Sequence, residues 1–357
     1  MTIFLAVLFA FAIALFITPI VRRIAFKVGA VDMPNSRKVH KEIMPRMGGV
    51  AVYLAFVVPV LMLYGLSTEI IGFLFGGFLI VLLGIYDDIF GMPAKIKLFG
   101  QIVAAASVLS FGIKIDFLTN PLSDGIIYLG LISIPLTIFW IVAVINAINL
   151  IDGLDGLAGG VTAIAAVTIA AVAWKQGVIL RDAAMQNVAA VALILAAAIL
   201  GFLRYNFYPA KIFLGDTGSM LLGYCLAVLS VISATKSAAA IPVFIPIVIL
   251  GIPLLDTFFA IVRRCYQNRH IFKPDKEHVH HKLLDLGLSH RQTVLVIYAV
   301  SIFMGTSAYF LNLVSTDRAL LILAVLSIVV IVLAEKIGIT GRKSSGVEVV
   351  DRNQNKE

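Results

Sequence analysis

A chain of 357 residues that is 61% hydrophobic and only 13% charged holds about half the charged fraction of a soluble domain, which excludes an ordinary soluble fold. The net charge of +8 is no argument for nucleic acid, because basic residues flanking membrane spans account for it. Two cysteines, Cys225 and Cys265, give neither a disulfide framework nor a metal-ligand spacing.

In chain order, the first apolar run at 2–21 has no basic residues ahead of it and no small-x-small cleavage site. It reads as a retained span rather than a secretory signal. Arg22, Arg23 and Lys27 follow it, which puts its amino end outside. A span needs roughly 20 apolar residues, and further runs fall at 48–66, 70–86, 98–113, 130–148, 157–174, 184–203, 217–235, 239–261, 292–313 and 319–335. None shows the period-two alternation of a barrel strand, so each is expected to be a helix that satisfies its own backbone in lipid. The expected fold is an all-α, polytopic integral membrane protein with eleven transmembrane helices. A membrane domain covers 1–335, and a polar cytoplasmic tail covers 336–357. Between the fourth and fifth runs, Asn120-Pro121 and Ser123-Asp124-Gly125 mark a short hairpin within 114–129.

With the amino end outside, only Lys114, Lys175, Arg181, Lys236 and Arg318 of the 28 basic residues fall on the external side, a strong positive-inside bias. The same topology collects the polar motifs in five cytoplasmic loops, 37–49, 87–97, 149–160, 205–219 and 263–291. One face therefore carries the chemistry, and the expected location is the cell membrane with the site at the cytoplasmic surface.

Asp87 and Asp88 end the third run. Adjacent carboxylates repel unless a cation, a basic side chain or a proton compensates. Mg²⁺, which takes oxygen ligands and keeps substrate phosphates in its shell, is one such cation; a solvated pair ending a helix is the plain alternative. In Asn149-Leu-Ile-Asp152-Gly-Leu-Asp155-Gly, two aspartates three apart, each followed by glycine, make a tight acidic turn that a ligand can approach closely. A helix cap with Asp155 at the N-cap needs only one of these residues, so base or ribose recognition is the favoured reading. Gly215-Asp216-Thr-Gly-Ser219, reached through Asn206 and Phe213, combines a carboxylate with turn residues and hydroxyls and suits a metal beside a pyrophosphate. His278-Val-His280-His281 lies in the most basic loop, where imidazoles bind phosphate when charged. Contact with anionic lipid explains the lysines there better than the three histidines. Asp256 is a carboxylate inside a predicted span, either a functional group or one paired with a neighbouring helix.

These motifs, in this order over about Lys38 to Leu288, resemble those of the bacterial polyprenyl-phosphate N-acetylhexosamine-1-phosphate transferases, the family of MraY, WecA and TagO. The resemblance implies an all-helical membrane enzyme that moves a sugar 1-phosphate from a UDP-sugar to undecaprenyl phosphate and releases UMP. It implies Mg²⁺, with Mn²⁺ as a substitute. By motif, Lys41 with Pro45-Arg-Met-Gly-Gly49 is similar to a nucleotide-contacting loop. Asp87 and Asp88 look like an acidic pair assigned to metal binding or to lipid-phosphate deprotonation, and Lys97, ahead of Phe99-Gly100-Gln101, like a lysine near phosphate. Asp152 and Asp155, following Asn149, look like the uridine-binding turn, with Asn206 and Phe213 as its amide and stacking partners. Asp216 looks like a direct Mg²⁺ ligand, and His280 and His281 match two positions of the family's histidine motif.

The pattern His-Val-His-His-Lys and the eleven spans point to the WecA/TagO branch. That branch implies UDP-N-acetylglucosamine as donor and a lipid-linked precursor of a surface polymer such as teichoic acid or O antigen. The muramoyl-pentapeptide branch is the alternative. A homodimer is compatible with the resemblance. A nucleotide or lipid-phosphate transporter is disfavoured, because such sites sit near mid-bilayer on broken helices or inverted repeats and no repeat is evident.

Overall fold

The computed structural model describes residues 2–33, 42–119, 125–236, 244–266, 278–314 and 316–336. Lys41, the centre of the 263–291 loop and the tail beyond 336 lie outside the described residues. The chain is mostly helical. Helix α1 (Ile3–Val28) starts at Thr2, whose hydroxyl accepts from the Leu5 amide. It stops at Gly29, whose φ of 77° closes the last turn in the left-handed conformation. Then come α2 (Gly48–Tyr64), α3 (Thr68–Phe90), α4 (Ala94–Leu109), α5 (Ser133–Ile151), α6 (Leu157–Ile179), α7 (Ala183–Asn206) and α8 (Gly215–Lys236). The second half adds α9 (Phe244–Ile249), α10 (Gly251–Tyr266), the short α11 (Val279–Asp285), α12 (His290–Leu311) and α13 (Thr316–Lys336).

A helix stands at each predicted run, with two corrections. The run at 239–261 is two helices, α9 and α10, interrupted at Leu250 ahead of Gly251 and Pro253. Proline has no amide hydrogen to offer the preceding turn, which explains a break there. Helix α4 begins at Ala94 rather than 98, so Lys97 stands in its first turn and not in a loop. Among the described residues, seven helices (α1, α3, α5 with the turn before it, α6, α7, α8 and α12) are long and apolar enough to cross a membrane. With this many, the chain is a polytopic membrane protein. The expected hairpin is present: β1 (Phe117–Thr119) pairs antiparallel with β2 (Ile126–Tyr128), Leu118 opposite Ile127. An unexpected second pairing joins 31–32 to 44–45 ahead of α2, Val31 opposite Pro45.

Helix α8 is the axis. Nearly all of its apolar stretch is buried, with α2, α3, α5 and α6 packed around it, while α1 and α7 close the far side against α6 and α2. The contacts at its start are made by backbone. A Cβ on Gly84 of α3 would fall 2.3 Å from the Thr217 Cα, and one on Gly49 of α2 would fall 2.3 Å from the Gly218 Cα. Small residues allow this approach where apolar burial against lipid supplies little drive for association. It fixes where the acidic end of α3 meets the start of α8.

Candidate active site

Helices joined by short loops reverse direction at each step, so the last turns of α3, α5 and α7 and the first turns of α4, α6 and α8 meet at one end of the bundle. The ends of α5, α7 and α8, with the loops beside them, line a cavity of about 740 Å³, within the range that holds a drug-sized or nucleotide-sized ligand. Of the residues singled out from the sequence, Asn149, Asp152, Asp155, Asn206, Phe213, Asp216 and His281 line it. Their positions span more than a hundred residues of chain, and folding brings them to one wall.

Behind the lining residue Asp216, Lys97 forms ion pairs with Asp87 and with Asp216 Oδ1, the latter at 3.0 Å; neither Asp87 nor Lys97 lines the cavity itself. Asn149 Nδ2 donates to the same Asp216 oxygen at 2.7 Å and to Ser219 Oγ at 2.7 Å. One turn deeper the same three helices meet again. Asn146 Nδ2 donates to Gln101 Oε1 at 2.7 Å, and Gln101 Nε2 reaches Met220 Sδ at 3.3 Å. Buried amides are costly when unpaired, so this inner tier holds α4, α5 and α8 in the register that places Lys97 and Asn149 on Asp216.

The two neighbours in the acidic pair have different tasks. Asp88 is 5% exposed and points into the protein. Its Oδ1 accepts from the Asp216 amide (2.9 Å), and its Oδ2 from the Thr217 amide (3.1 Å) and hydroxyl (2.6 Å). It caps α8 from another helix, filling the role a local N-cap side chain has elsewhere. Asp87 carries the bond to Lys97 instead. Asp155 does not cap α6: Gly156 occupies the N-cap with no side-chain bond, and Asp155 Oδ2 accepts from the Ala210 amide at 2.9 Å. Asn206 donates to the Ile212 carbonyl at 3.0 Å. Both hold the 207–212 loop that forms one wall. Phe213 is pinned by its backbone, donating to Pro45 and accepting from Gly48, and it lines the cavity.

Asp152, just past the end of α5, feels this crowding of acids. Burial, reinforced by Asp216, Asp88 and Asp155, pushes its carboxyl up to about 8, with Arg46 pulling the other way. A carboxyl raised in the folded state holds a proton that the unfolded chain has already lost, so stability falls as pH rises from about 4 to 8 and is level above that. Asp152→Asn removes this loss. In detergent with EDTA, the mutant should melt about 3 °C above the wild type at pH 8.5, with a smaller gap at pH 5.5. A gap that does not widen with pH would show that Asp152 titrates normally.

His278 and His280 are buried, and their rings lie parallel with centroids 6.0 Å apart. Burial, with His281 alongside, brings His280 down to about 3 against the pull of Asp256. In the free protein its burial therefore favours the neutral form of the ring. Two further lining residues are Arg46, which lies in the Pro45–Gly49 motif, and His290, which the sequence reading passed over. Arg46, ion-paired with Asp32, stands on the cavity wall. So does His290, whose ring nitrogens have no hydrogen-bond partner among the described residues and whose ring lies 4.5 Å from that of Tyr208. The signal for His290 was its place after Ser289, which with Gln292 forms the capping box that opens α12.

Among the described residues no group of three or more His, Cys, Asp or Glu is arranged to hold a metal by itself. The donors at hand are the Asp87 and Asp216 carboxylates, hard oxygens suited to Mg²⁺. That ion is commonly held by one or two carboxylates, with water and substrate phosphates completing its shell. Asp88 has less acceptor capacity to spare, with one hydrogen bond on Oδ1 and two on Oδ2. Asp87, Asp88, Asp155 and Asp216 outnumber Lys97 and Arg46 here, an excess of negative charge that a further cation would offset when a phosphate binds.

Comparison with known proteins matches residues 70–234 to the family described as Glycosyl transferase family 4, the stretch from α3 to α8 that carries Asp87, Asp88, Lys97, Asn149, Asp152, Asp155, Asn206, Phe213 and Asp216. The chain is 44% identical over 331 residues to a Bacillus subtilis (strain 168) protein named probable undecaprenyl-phosphate N-acetylglucosaminyl 1-phosphate transferase, covering 92% of this chain and 90% of that one. It is 37% identical over 347 residues to decaprenyl-phosphate N-acetylglucosaminephosphotransferase of Mycolicibacterium smegmatis, covering 89% and 85%. It is 33% identical over 309 residues to undecaprenyl-phosphate alpha-N-acetylglucosaminyl 1-phosphate transferase of Haemophilus influenzae, covering 83% and 85%.

Proposed function

Since the chain belongs to the polyprenyl-phosphate N-acetylhexosamine-1-phosphate transferases of glycosyl transferase family 4, we propose that it transfers N-acetylglucosamine 1-phosphate from UDP-N-acetylglucosamine to undecaprenyl phosphate and releases UMP. The observation that carries this reading is a nucleotide-sized cavity lined by Asn149 and Asp216, with Lys97 and Asp87 joined to Asp216 behind its wall. The cavity opens at the helix ends, where a lipid phosphate meets water and its chain stays in the bilayer.

In this reading the uracil and ribose lie between Phe213 and the Asp152–Asp155 turn, with the pyrophosphate toward Asp216. Mg²⁺ held by Asp216 and Asp87 supplies charge neutralisation at the pyrophosphate when bound. Lys97 keeps those carboxylates together and adds a positive charge of its own. The lipid phosphate attacks the sugar-bearing phosphorus. A new P–O bond forms as the bond to UMP breaks, and UMP leaves with the electron pair. A phosphate monoester has its second pKa near ~6, so the nucleophile is largely ionised at neutral pH and neither aspartate need remove a proton. Positioning and charge neutralisation do most of the work, as in other phosphoryl transfers.

The same reading takes all eleven runs as spans, with the amino end outside and the cavity at the cytoplasmic surface. The positive-inside distribution of lysine and arginine supports this. The test is UMP release by purified protein given undecaprenyl phosphate, Mg²⁺ and either UDP-N-acetylglucosamine or UDP-N-acetylmuramoyl-pentapeptide. Release with the first donor alone, abolished by EDTA, is expected. Release with the peptide donor alone would move the protein to the other branch.

A further inference from the structure

Asp256 lies within α10, 2% exposed, where an unpaired carboxylate is costly. Both of its oxygens cross to the histidine motif. Oδ2 is 2.9 Å from His278 Nδ1, and Oδ1 accepts from the Val279 amide at 2.9 Å. His278 is the N-cap residue of α11, yet its own side chain caps nothing, so the acceptor for the first turn comes from α10. From there the contacts lead to the site. The His280 ring sits on the backbone of Gly153, where an added Cβ would come 2.4 Å from its Nε2. His281 packs against His280 at 4.3 Å between centroids and lines the cavity.

We propose that Asp256 is a positioning residue for the transfer reaction. It selects the form of His278 that carries its proton on Nδ1 and starts α11, which seats His280 on the Asp152–Asp155 turn and His281 on the cavity wall. The assignment rests on the reading of the site as the transferase centre. Asp256 itself touches no substrate; it acts through α11.

Asp256→Asn tests this in the full chain. The asparagine oxygen can still accept from Val279, but its amide group can only donate to His278, which must then carry its proton on Nε2. Nitrogen-15 spectra of histidine-labelled protein should show one ring changing form. UMP release should fall at least tenfold in kcat, a larger change than that in KM for UDP-N-acetylglucosamine, because Asp256 lies outside the cavity and Asp155 keeps its bond to the 207–212 loop. An unchanged ring, or a changed ring with kcat within twofold of wild type, overturns the proposal. If Asp256→Asn does not fold, His278→Ala leaves Asp256 its bond to Val279 and should give the same fall in kcat; full activity would overturn the proposal. The wild-type assay beside it tests the transferase reading separately, and the spectra test the Asp256–His278 link even if that reading fails.

Discussion

Asp216→Asn is expected to lower UMP release by about a thousandfold at saturating substrates and Mg²⁺, with the fold intact. Asparagine matches aspartate in shape and keeps one oxygen for Lys97 and Asn149, so packing at the start of α8 is preserved. What is lost is the charge on the carboxylate that Lys97 and Asn149 both address. Lys97 keeps Asp87 as its partner, so no cation is stranded, and the melting temperature should stay within a few degrees of wild type. The decisive measurement is a Mg²⁺ titration of initial rate. Turnover near the wild-type value at high Mg²⁺ would remove Asp216 from the centre of the mechanism.

The second large effect separates two residues that are adjacent in sequence. Asp88→Ala leaves the Asp216 and Thr217 amides and the Thr217 hydroxyl without their acceptor, and each buried orphan costs about 1–3 kcal/mol. This mutant should lose activity and also melt roughly 5–10 °C lower. Asp87→Ala leaves those three bonds in place and frees Lys97 for Asp216 alone. It should lose activity about a hundredfold with little change in melting temperature. Equal thermal losses for the two mutants would mean that Asp87 is as much a part of the scaffold as Asp88.

The contrast marks where the sequence was informative and where it was not. Asn149, Asp152, Asp155, Phe213 and Asp216 could be gathered into one site because they cluster at the ends of apolar runs, and alternating spans bring such ends to common faces. The division of labour between Asp87 and Asp88 was hidden, because it depends on the roughly 100° turn between consecutive helical residues. One side chain of the pair faces Lys97 and the other faces the start of α8. The task of Asp155 was obscured in the same way, its acceptor role being fixed by a loop 55 residues later. The break between α9 and α10 was foreshadowed by Gly251 and Pro253, but hydropathy alone ran through it. The pairing of 31–32 with 44–45 had no periodic signal to announce it, being only two residues on each side.

The bond from Asp88 to the Asp216 amide joins residues 128 apart, which has a consequence for biosynthesis. At ordinary elongation rates the acidic end of α3 is made on the order of ten seconds before the amides that satisfy it. For that interval its place in the last turn of α3 keeps it next to the following loop rather than in the middle of the helix. Asp256 lies further inside its apolar run, and its partner His278 follows only 22 residues later, a delay of a few seconds at most. The buried carboxylate of α10 therefore meets its partner within a few seconds of its own synthesis, whereas Asp88 waits until α8 has been made.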